Sequence, residues 1–291
     1  MSLKYQVVLI APIRNFKKKE NLDYMIIELP NKNIFQNLSI EEYLMDNFDP
    51  PILILWKSSP CVVLGKNQNP WIECNLKLMK DENITLARRI SGGGAVYHDE
   101  GNLNYSLIHD NRTYERSKVY EMIISALCDL DVLTEKNSKN NLLYNGKKFS
   151  GTAFAYRKNK VLHHGTLLLN SNINNLNKYL NSDKPNITTK AVKSNTVDVI
   201  NLNLPTEFVI KAIKNQYEIF FNKNIIGKIN FDEEKIKKYY NIRSSNDWIY
   251  GKTPKFYLID KNEEIEISKK NYPNLKKEIF NKLINLEKMF S

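Results

Sequence analysis

"RRISGGGAVYHDEGNLNYSL", Arg88 to Leu107, places three of the chain's ten glycines side by side. Glycine packs nothing and loses the most backbone freedom on folding, so a consecutive run needs a local reason. Gly92, Gly93 and Gly94 let backbone N–H groups approach a ligand closely and converge on one anion. Arg88 and Arg89 stand directly before them, and a guanidinium fork suits phosphate or carboxylate. The pattern favours a phosphate-bearing ligand. A tight hairpin connection is the plainer alternative, and the two arginines weigh against it. The run is neither a P-loop nor a dinucleotide fingerprint, because no Gly-Lys-Ser/Thr follows and no GxGxxG spacing is present.

Working outward, "ITLARRIS" and "AVYHD" read as strands on either side of the glycines, and "NLNYSLIHD" as a further strand. "GKKFSGTAF" sets Lys148 at a strand start beside Ser150-Gly151, where a lysine can neutralise an α-phosphate or a developing oxyanion. An exposed turn lysine is the alternative there. "LHHGTLLLN" puts His163 and His164 on opposite faces of a strand, so they cannot bind one metal from one face. No third ligand accompanies them, and no metal site is expected.

Helices are expected over "NLSIEEYLMDN", with Ser39 as N-cap and Glu42 three residues on, and over "NPWIECNLKLMKDEN", with Pro70 in its first turn. Others are "YERSKVYEMIISALCDLDV", "INNLNKYLN", "TEFVIKAIKNQYEIFFN", "EEKIKKYYN" to about Tyr240 and a terminal "NLKKEIFNKLINLEKMF". The tail from Lys252 also shows a hairpin-like stretch. Strands and helices mix without regular βα alternation, which is the α+β class with a mixed, largely antiparallel sheet and flanking helices.

The formal net charge of +11 and pI of about 9.3 suit an acidic partner or a surface of scattered lysines. No basic stretch is interleaved with aromatics, so no nucleic-acid partner is expected. No apolar run approaches the roughly 20 residues that span a bilayer, so no membrane partner is expected. Cys61, Cys74 and Cys128 form neither a CxxC pair nor a metal spacing, which implies a reducing compartment. Before Glu20 the basic residues Lys4, Arg14, Lys17, Lys18 and Lys19 meet no acidic one. Residues 1–24 therefore read either as an organellar presequence or as a first strand with a basic turn. The matching localisations are a mitochondrial or other organelle matrix, or otherwise the cytoplasm.

In order along the chain, "NLSIEEYL", "NPWIECN", "RRISGGGAVYHDEGNLNYS", "KKFSGTAFAYRKNKVLHHGTLLLN" and "VKSNTVDV" resemble the lipoate–protein ligase A and lipoyltransferase family. "DWIYGKTPKF" is similar to its eukaryotic lipoyltransferase branch. The resemblance spans roughly residues 26–256, and RRxSGGGxVYHDxGN is specific. It implies a biotin/lipoate protein ligase-like catalytic domain over residues 25–250, with residues 251–291 in place of a full accessory domain.

It also implies joining of lipoate, through lipoyl-AMP, to a lysine of lipoyl domains. Those domains belong to 2-oxoacid dehydrogenase complexes and glycine-cleavage H protein. ATP and Mg²⁺ would take part. Carried over by the resemblance, Arg89, Gly94, Ala95, Val96 and Tyr97 would hold the nucleotide. Lys148 would touch both phosphate and lipoate and be catalytic, while Gly92, Gly93, His164 and Gly165 would line the acyl pocket.

Three departures stand out. The family's Asn-Asp pair ahead of the lysine corresponds here to Asn140-Asn141, which bears on Mg²⁺ and on ATP activation. Only about 35 residues follow "GKTPKF", so the accessory domain is reduced, lost or supplied by a separate chain. Finally, the eukaryotic relatives often use preformed lipoyl-AMP. The function classes are therefore an ATP-dependent ligase, a lipoyltransferase using lipoyl-AMP or another lipoyl carrier, and a non-enzymatic lipoyl-domain binder. An octanoyl-transferring relative would need a nucleophilic cysteine, and the three cysteines read as core or helix residues.

Overall fold

The computed structural model describes residues 25–30, 32–138, 140–182, 186–195, 197–221, 231–260, 263–268 and Leu283. The expected presequence and, apart from Leu283, the expected terminal helix lie outside them. In chain order the first elements are β1 (Met25–Leu29), α1 (Ile34–Asn47), β2 (Ile52–Trp56), β3 (Cys61–Leu64), α2 (Pro70–Glu73), α3 (Leu76–Asp81) and β4 (Thr85–Arg88). Then come β5 (Val96–His98), β6 (Asn102–Asp110), α4 (Arg116–Cys128), β7 (Glu135–Lys136), β8 (Leu142–Tyr144), β9 (Lys147–Ser150), β10 (Thr152–Arg157) and β11 (Lys160–Leu168). The chain continues with α5 (Ile173–Tyr179), β12 (Ile187–Thr189), α6 (Thr206–Phe221), α7 (Glu233–Arg243), α8 (Asn246–Ile249), β13 (Phe256–Asp260) and β14 (Glu263–Ile267).

Every residue of β2, "ILILW", is buried, as expected of a strand covered on both faces. The strand period of two divides its side chains between two cores. Leu53 and Leu55 join α4 and α6 on one face, while Ile52, Ile54 and Trp56 join α1 on the other. The sheet order is β1-β2-β6-β11-β10, with β1 and β2 parallel and the remaining pairs antiparallel. A second sheet, β4-β3-β5, carries the glycine loop between β4 and β5. The result is the α+β class with a largely antiparallel sheet, as the sequence predicts.

Three local expectations need correction. The first helix begins earlier, because Ile34 and Leu38 are buried with the core. Asn33 is its N-cap, its Oδ1 accepting from the N–H groups of Phe35 (2.9 Å) and Gln36 (3.2 Å). Ser39 is interior, its hydroxyl donating back to the Phe35 carbonyl. Glu42 makes no capping box and pairs with Arg157 and Arg243 instead. Second, the helix expected over 69–83 is two short pieces. Cys74 is extended, the Asn75 N–H goes to the Tyr179 carbonyl, and the Asn75 side chain starts α3 afresh. Third, α7 runs past Tyr240 to Arg243, and Ser245 caps the separate α8.

The "NG" turn has positive φ at both Asn145 (50°) and Gly146 (73°), the twist a two-residue hairpin needs. The hairpin β13–β14 pairs with β12, and Phe256, Leu258 and Ile267 share a buried cluster with Val62, Trp71 and Tyr97. Among the described residues no helix is long and apolar enough to cross a membrane.

Candidate active site

On β6 the apolar residues Leu103, Tyr105 and Leu107 face the α4–α6 core. The alternate residues Asn102, Asn104 and Ser106 are buried too, on the opposite face. Register sets Asn104 beside Trp56 and Thr166, and Ser106 beside Ile54 and His164. The sheet thus offers a polar floor where α1 and the glycine loop cover it.

That floor is wired in one direction. Glu41 of α1 accepts from Trp56 Nε1 (3.2 Å), from the Ser106 hydroxyl and from His164 Nδ1 (3.4 Å). With its Nδ1 donating, His164 accepts at Nε2 from the Ser91 hydroxyl at 2.6 Å. Ser91 Oγ in turn accepts from Arg89 Nε at 2.9 Å. Arg89 also donates to the carbonyls of Val63, Gly92 and Gly94. Its fork therefore braces the glycine loop from inside, rather than standing free for phosphate.

Arg88 is fully buried and faces away. It donates to the carbonyls of Gly65, Lys66, Gln68 and Ile249 and to the Thr253 hydroxyl. Trp248 Nε1 donates to the Arg88 carbonyl. The expectation that both arginines address an anion is corrected: the Arg89 fork is taken up by the loop's own carbonyls, and the Arg88 donors anchor the "DWIYGKTPKF" segment to the loop.

The three glycines have different duties. Gly93 has φ +84°, and a Cβ there would lie 3.0 Å from Arg89 Nη2. A Cβ on Gly94 would meet Ser194 Oγ at 2.9 Å, whereas one on Gly92 would meet nothing within 4 Å. Among the described residues no acceptor takes the backbone N–H of Gly92, Gly93 or Gly94.

Ser194 pins the next loop over this one. Its Oγ accepts from Ala95 N–H (2.9 Å) and Gln68 Nε2 (3.0 Å), and its own N–H and hydroxyl donate to the buried Glu73 carboxylate. Residues 192–195 thereby wall the cavities.

Two cavities meet here. The larger, about 790 Å³, is lined by Ala95, Val96, Tyr97, Thr166 and Lys193 among others. The smaller, about 340 Å³, runs past Trp56, Val63, Gly93, His98, His164 and Gly165. Lys148 lines both. It is half-buried, burial lowers its pKa below the usual lysine value, and among the described residues its Nζ has no carboxylate partner. A Cβ on Gly151 would sit 3.1 Å from that Nζ, which places the lysine end directly over this glycine.

Gly165 is small because Tyr105 lies behind it, 2.5 Å from where a Cβ would be. Asn141 is on the wall of the smaller cavity. Of the predicted site residues, Lys148, Arg89, Gly93, Gly94, Ala95, Val96, His164 and Gly165 line the smaller cavity. Tyr97 lines only the larger one, and Gly92 neither. Sequence reasoning missed Glu41, Trp56, Ser91, His98, Asn104, Glu73 and the role of Ser194. The buried polar alternation of "NLNYS" was the available signal.

Among the described residues no group of three or more His, Cys, Asp or Glu could hold a metal. Burial pushes the Cys61 thiol up to about 12 and raises Cys74 as well, Cys128 is exposed, and none of the three lines either cavity.

Residues 33–218 match the family model described as lipoyl protein ligase A/B catalytic domain. The chain is 36% identical over 240 residues to the lipoate-protein ligase A of Blochmanniella floridana, covering 77% of this chain and 71% of that one. It is 36% identical over 266 residues to the human mitochondrial lipoyl amidotransferase LIPT1, covering 85% and 70%. The crystal structure of Plasmodium falciparum LipL1 in complex with lipoate superposes with a TM-score of 0.69 at 32% identity, over 84% of this chain and 79% of that one.

Proposed function

We propose, from the premise that the chain belongs to the lipoyl protein ligase A/B family, that it is a lipoate–protein ligase. In this reading it activates lipoate with ATP and passes the lipoyl group to a lysine of lipoyl domains. The acceptors are those of 2-oxoacid dehydrogenase complexes and of glycine-cleavage H protein. The observation that carries the reading is Lys148, a half-buried cation with no carboxylate partner among the described residues, at the junction of two cavities.

The smaller cavity suits the acyl chain and the larger the nucleotide. A carboxylate does not acylate an amine at neutral pH, so one of its oxygens must first be made part of a better leaving group. A carboxylate oxygen attacks the α-phosphorus of ATP, the acyl–phosphate bond forms and pyrophosphate leaves. Two anions must meet, and Lys148 together with the N–H groups of Gly93 and Gly94, which no acceptor takes among the described residues, offsets their repulsion and the charge built up in the transition state. Arg89 acts at one remove by holding the loop's carbonyls, so that its N–H groups can face the ligand.

In the second half the acceptor amine, having lost its proton, attacks the acyl carbon. The C–N bond forms, AMP leaves with the electron pair of the broken C–O bond, and the nitrogen gives its second proton to the departing phosphate or to water. The described residues supply no metal cluster, so Mg²⁺ enters this reading only as the companion of the triphosphate.

A second reading is favoured by Asn141, an amide on the cavity wall where the family pattern places a carboxylate. It is a lipoyltransferase that takes preformed lipoyl-AMP and omits the first half. Relatives named ligase and amidotransferase support the two readings alike, and the mitochondrial relatives support an organellar setting. The test is lipoate-dependent exchange of pyrophosphate into ATP, run beside transfer to one lipoyl domain from lipoyl-AMP. Exchange with transfer supports the ligase. Transfer from lipoyl-AMP without exchange makes the chain a transferase. Failure of both overturns the reading.

A further inference from the structure

Lys193, Ser194 and Asn195 wall both cavities, yet none of residues 192–195 is buried. A stretch without a core of its own has to be placed by polar ties. The Val192 N–H donates to the Asn67 carbonyl at 3.2 Å. Among the described residues every other hydrogen bond of this stretch is made by Ser194. Its Oγ accepts from the Ala95 N–H at 2.9 Å and from Gln68 Nε2 at 3.0 Å, which fills both lone pairs. Its own N–H and its hydroxyl proton both go to Glu73.

Glu73 is 6% exposed, and a buried carboxylate is costly unless its oxygens are bonded. Among the described residues every hydrogen bond to this one comes from Ser194. Glu73 also lines the larger cavity, but both of its oxygens are turned to that serine. The helix beneath it is well anchored. Asn69 Oδ1 caps α2 by accepting the Trp71 N–H at 2.9 Å, and Trp71 is buried with its ring 5.2 Å from that of Phe256. Glu73 thus ties an unburied wall to a buried element. Farther along, the Lys148 N–H donates to the Asp198 carbonyl and the Lys148 carbonyl accepts from the Ile200 N–H, both at 3.0 Å. The chain that leaves Ser194 therefore goes on to brace the main chain of Lys148.

We propose that Glu73 is a positioning residue: acting through Ser194, it holds residues 192–195 as the common wall of the two cavities before the acyl-adenylate binds. This rests on reading the cavities as the acyl and nucleotide sites. A group that stabilises the transition state, as Lys148 does in that reading, acts on the rate of the bound complex. A group that preforms the wall acts on the fraction of chains able to bind. Losing it raises the apparent Kd by that fraction. A chain that has bound its ligand has its wall formed, and it turns over as before.

The test is calorimetric binding of lipoyl-AMP to the full chain, beside kcat for transfer to one lipoyl domain at saturating lipoyl-AMP. Glu73→Ala and Ser194→Ala should each weaken binding by about tenfold or more, the scale of one lost charge-assisted hydrogen bond. Their kcat should stay within about threefold of wild type, since the bound chains are those with the wall in place. Glu73→Gln, which keeps one acceptor oxygen, should recover part of the affinity. The double variant should bind no worse than the weaker single, because both changes break one contact. Thermal melts establish that the variants fold, and if Glu73→Ala does not, Ser194→Ala and Glu73→Gln decide. Unchanged affinity, losses that multiply in the double variant, or a fall in kcat at unchanged affinity overturns the proposal. So does a loss seen with lipoate plus ATP alone, which would put Glu73 on the triphosphate or its cation. If wild type binds no lipoyl-AMP, the reading of the cavities itself fails and this inference falls with it.

Discussion

His163 and His164 are neighbours on β11 and point to opposite faces of the same sheet. His163 lies in an aromatic nest of Tyr105, Tyr114, Tyr120 and Phe154, with the Phe154 centroid 4.5 Å away. Its one hydrogen bond joins Nδ1 to the Tyr114 hydroxyl at 2.8 Å. His164 joins Ser91 and Glu41 in a chain that ends on the glycine loop. Both are buried, at 0% and 8% exposure, so burial does not distinguish core from site. The distinction lies in what each face supplies. One gives rings and methyls, and the other gives Glu41, Ser91, Ser106, Asn104 and an opening.

If the His164 face is the working one, losing its cation should cost rate and spare the fold. Lys148→Ala should lower adenylate formation by about a hundredfold to a thousandfold, the usual effect of removing one preorganised charge-stabilising donor. The melting temperature should hardly move, because the Nζ bonds no described residue. Pyrophosphate exchange and a thermal melt check the two halves. A near wild-type rate would return Lys148 to the surface-lysine reading.

The next effect separates positions within one loop. Gly93→Val forces a β-branched residue to φ +84° against Arg89. Such backbone strain reaches roughly 3 kcal/mol, or about a hundredfold in the population of the binding-competent loop. Gly92→Ala, with open space around its Cβ, should bind within about twofold of wild type, since the added methyl meets nothing. Calorimetry with lipoyl-AMP measures both. Equal losses at the two positions would show that the loop is read by its composition rather than by its conformation.

How much of this was legible depends on whether a feature is local. The glycine run, Lys148 and the split of the histidines follow from residue chemistry and the strand period, and each can be read within a few residues. The division of labour between Arg88 and Arg89 is not local. Adjacent residues at the end of β4 face opposite ways, both are buried, and only the path of Ile249 and Thr253 settles which one turns away from the cavities. The first helix misleads for a similar reason, since Asn33 and Ser39 are both good caps and the burial of Ile34 and Leu38 decides between them. Glu41, Trp56, Ser106 and His98 come from a helix and from strands of two different sheets, and only the packing of those elements brings them together.

The opposite face should report through stability instead of rate. Burial lowers the pKa of His163 to about 3, against about 6.5 for an unfolded histidine. Below 6.5 the unfolded chain takes up a proton that the native chain refuses. Stability is therefore full above that pH and falls, at about 1.4 kcal/mol per pH unit, as pH drops toward 3. His98 adds the same slope. His163→Phe should abolish one of the two contributions, reducing the loss between pH 7 and pH 5 by about 2 kcal/mol, the slope taken over 1.5 units. Urea melts at the two pH values test this. An unchanged loss would mean that His163 is protonated in the native protein, and the contrast between the two faces would collapse.

The smallest expected effect marks where the working face stops. Asn141 lies on the cavity wall beyond the sheet, held by its N–H to Asn137 Oδ1 at 3.0 Å and by its carbonyl to the Asn137 N–H. Those are backbone bonds, so a change of side chain leaves the turn in place. Asn141→Asp adds a carboxylate of nearly the same shape to the wall of the smaller cavity, which meets the nucleotide cavity at Lys148. In the ATP-dependent half a carboxylate that reaches this junction can hold the cation that accompanies the triphosphate, and the rate with lipoate plus ATP should rise severalfold, the scale of one partly exposed charge interaction. The transfer half uses neither triphosphate nor cation, and its rate with lipoyl-AMP should be unchanged. One acceptor domain assayed with both donors separates the cases. A rise with both donors would place Asn141 in acyl binding. A fall with both would mean that a second charge beside Lys148 quenches the cation the site depends on. No change with either would put the boundary of the site at the edge of the sheet, with Asn141 outside it.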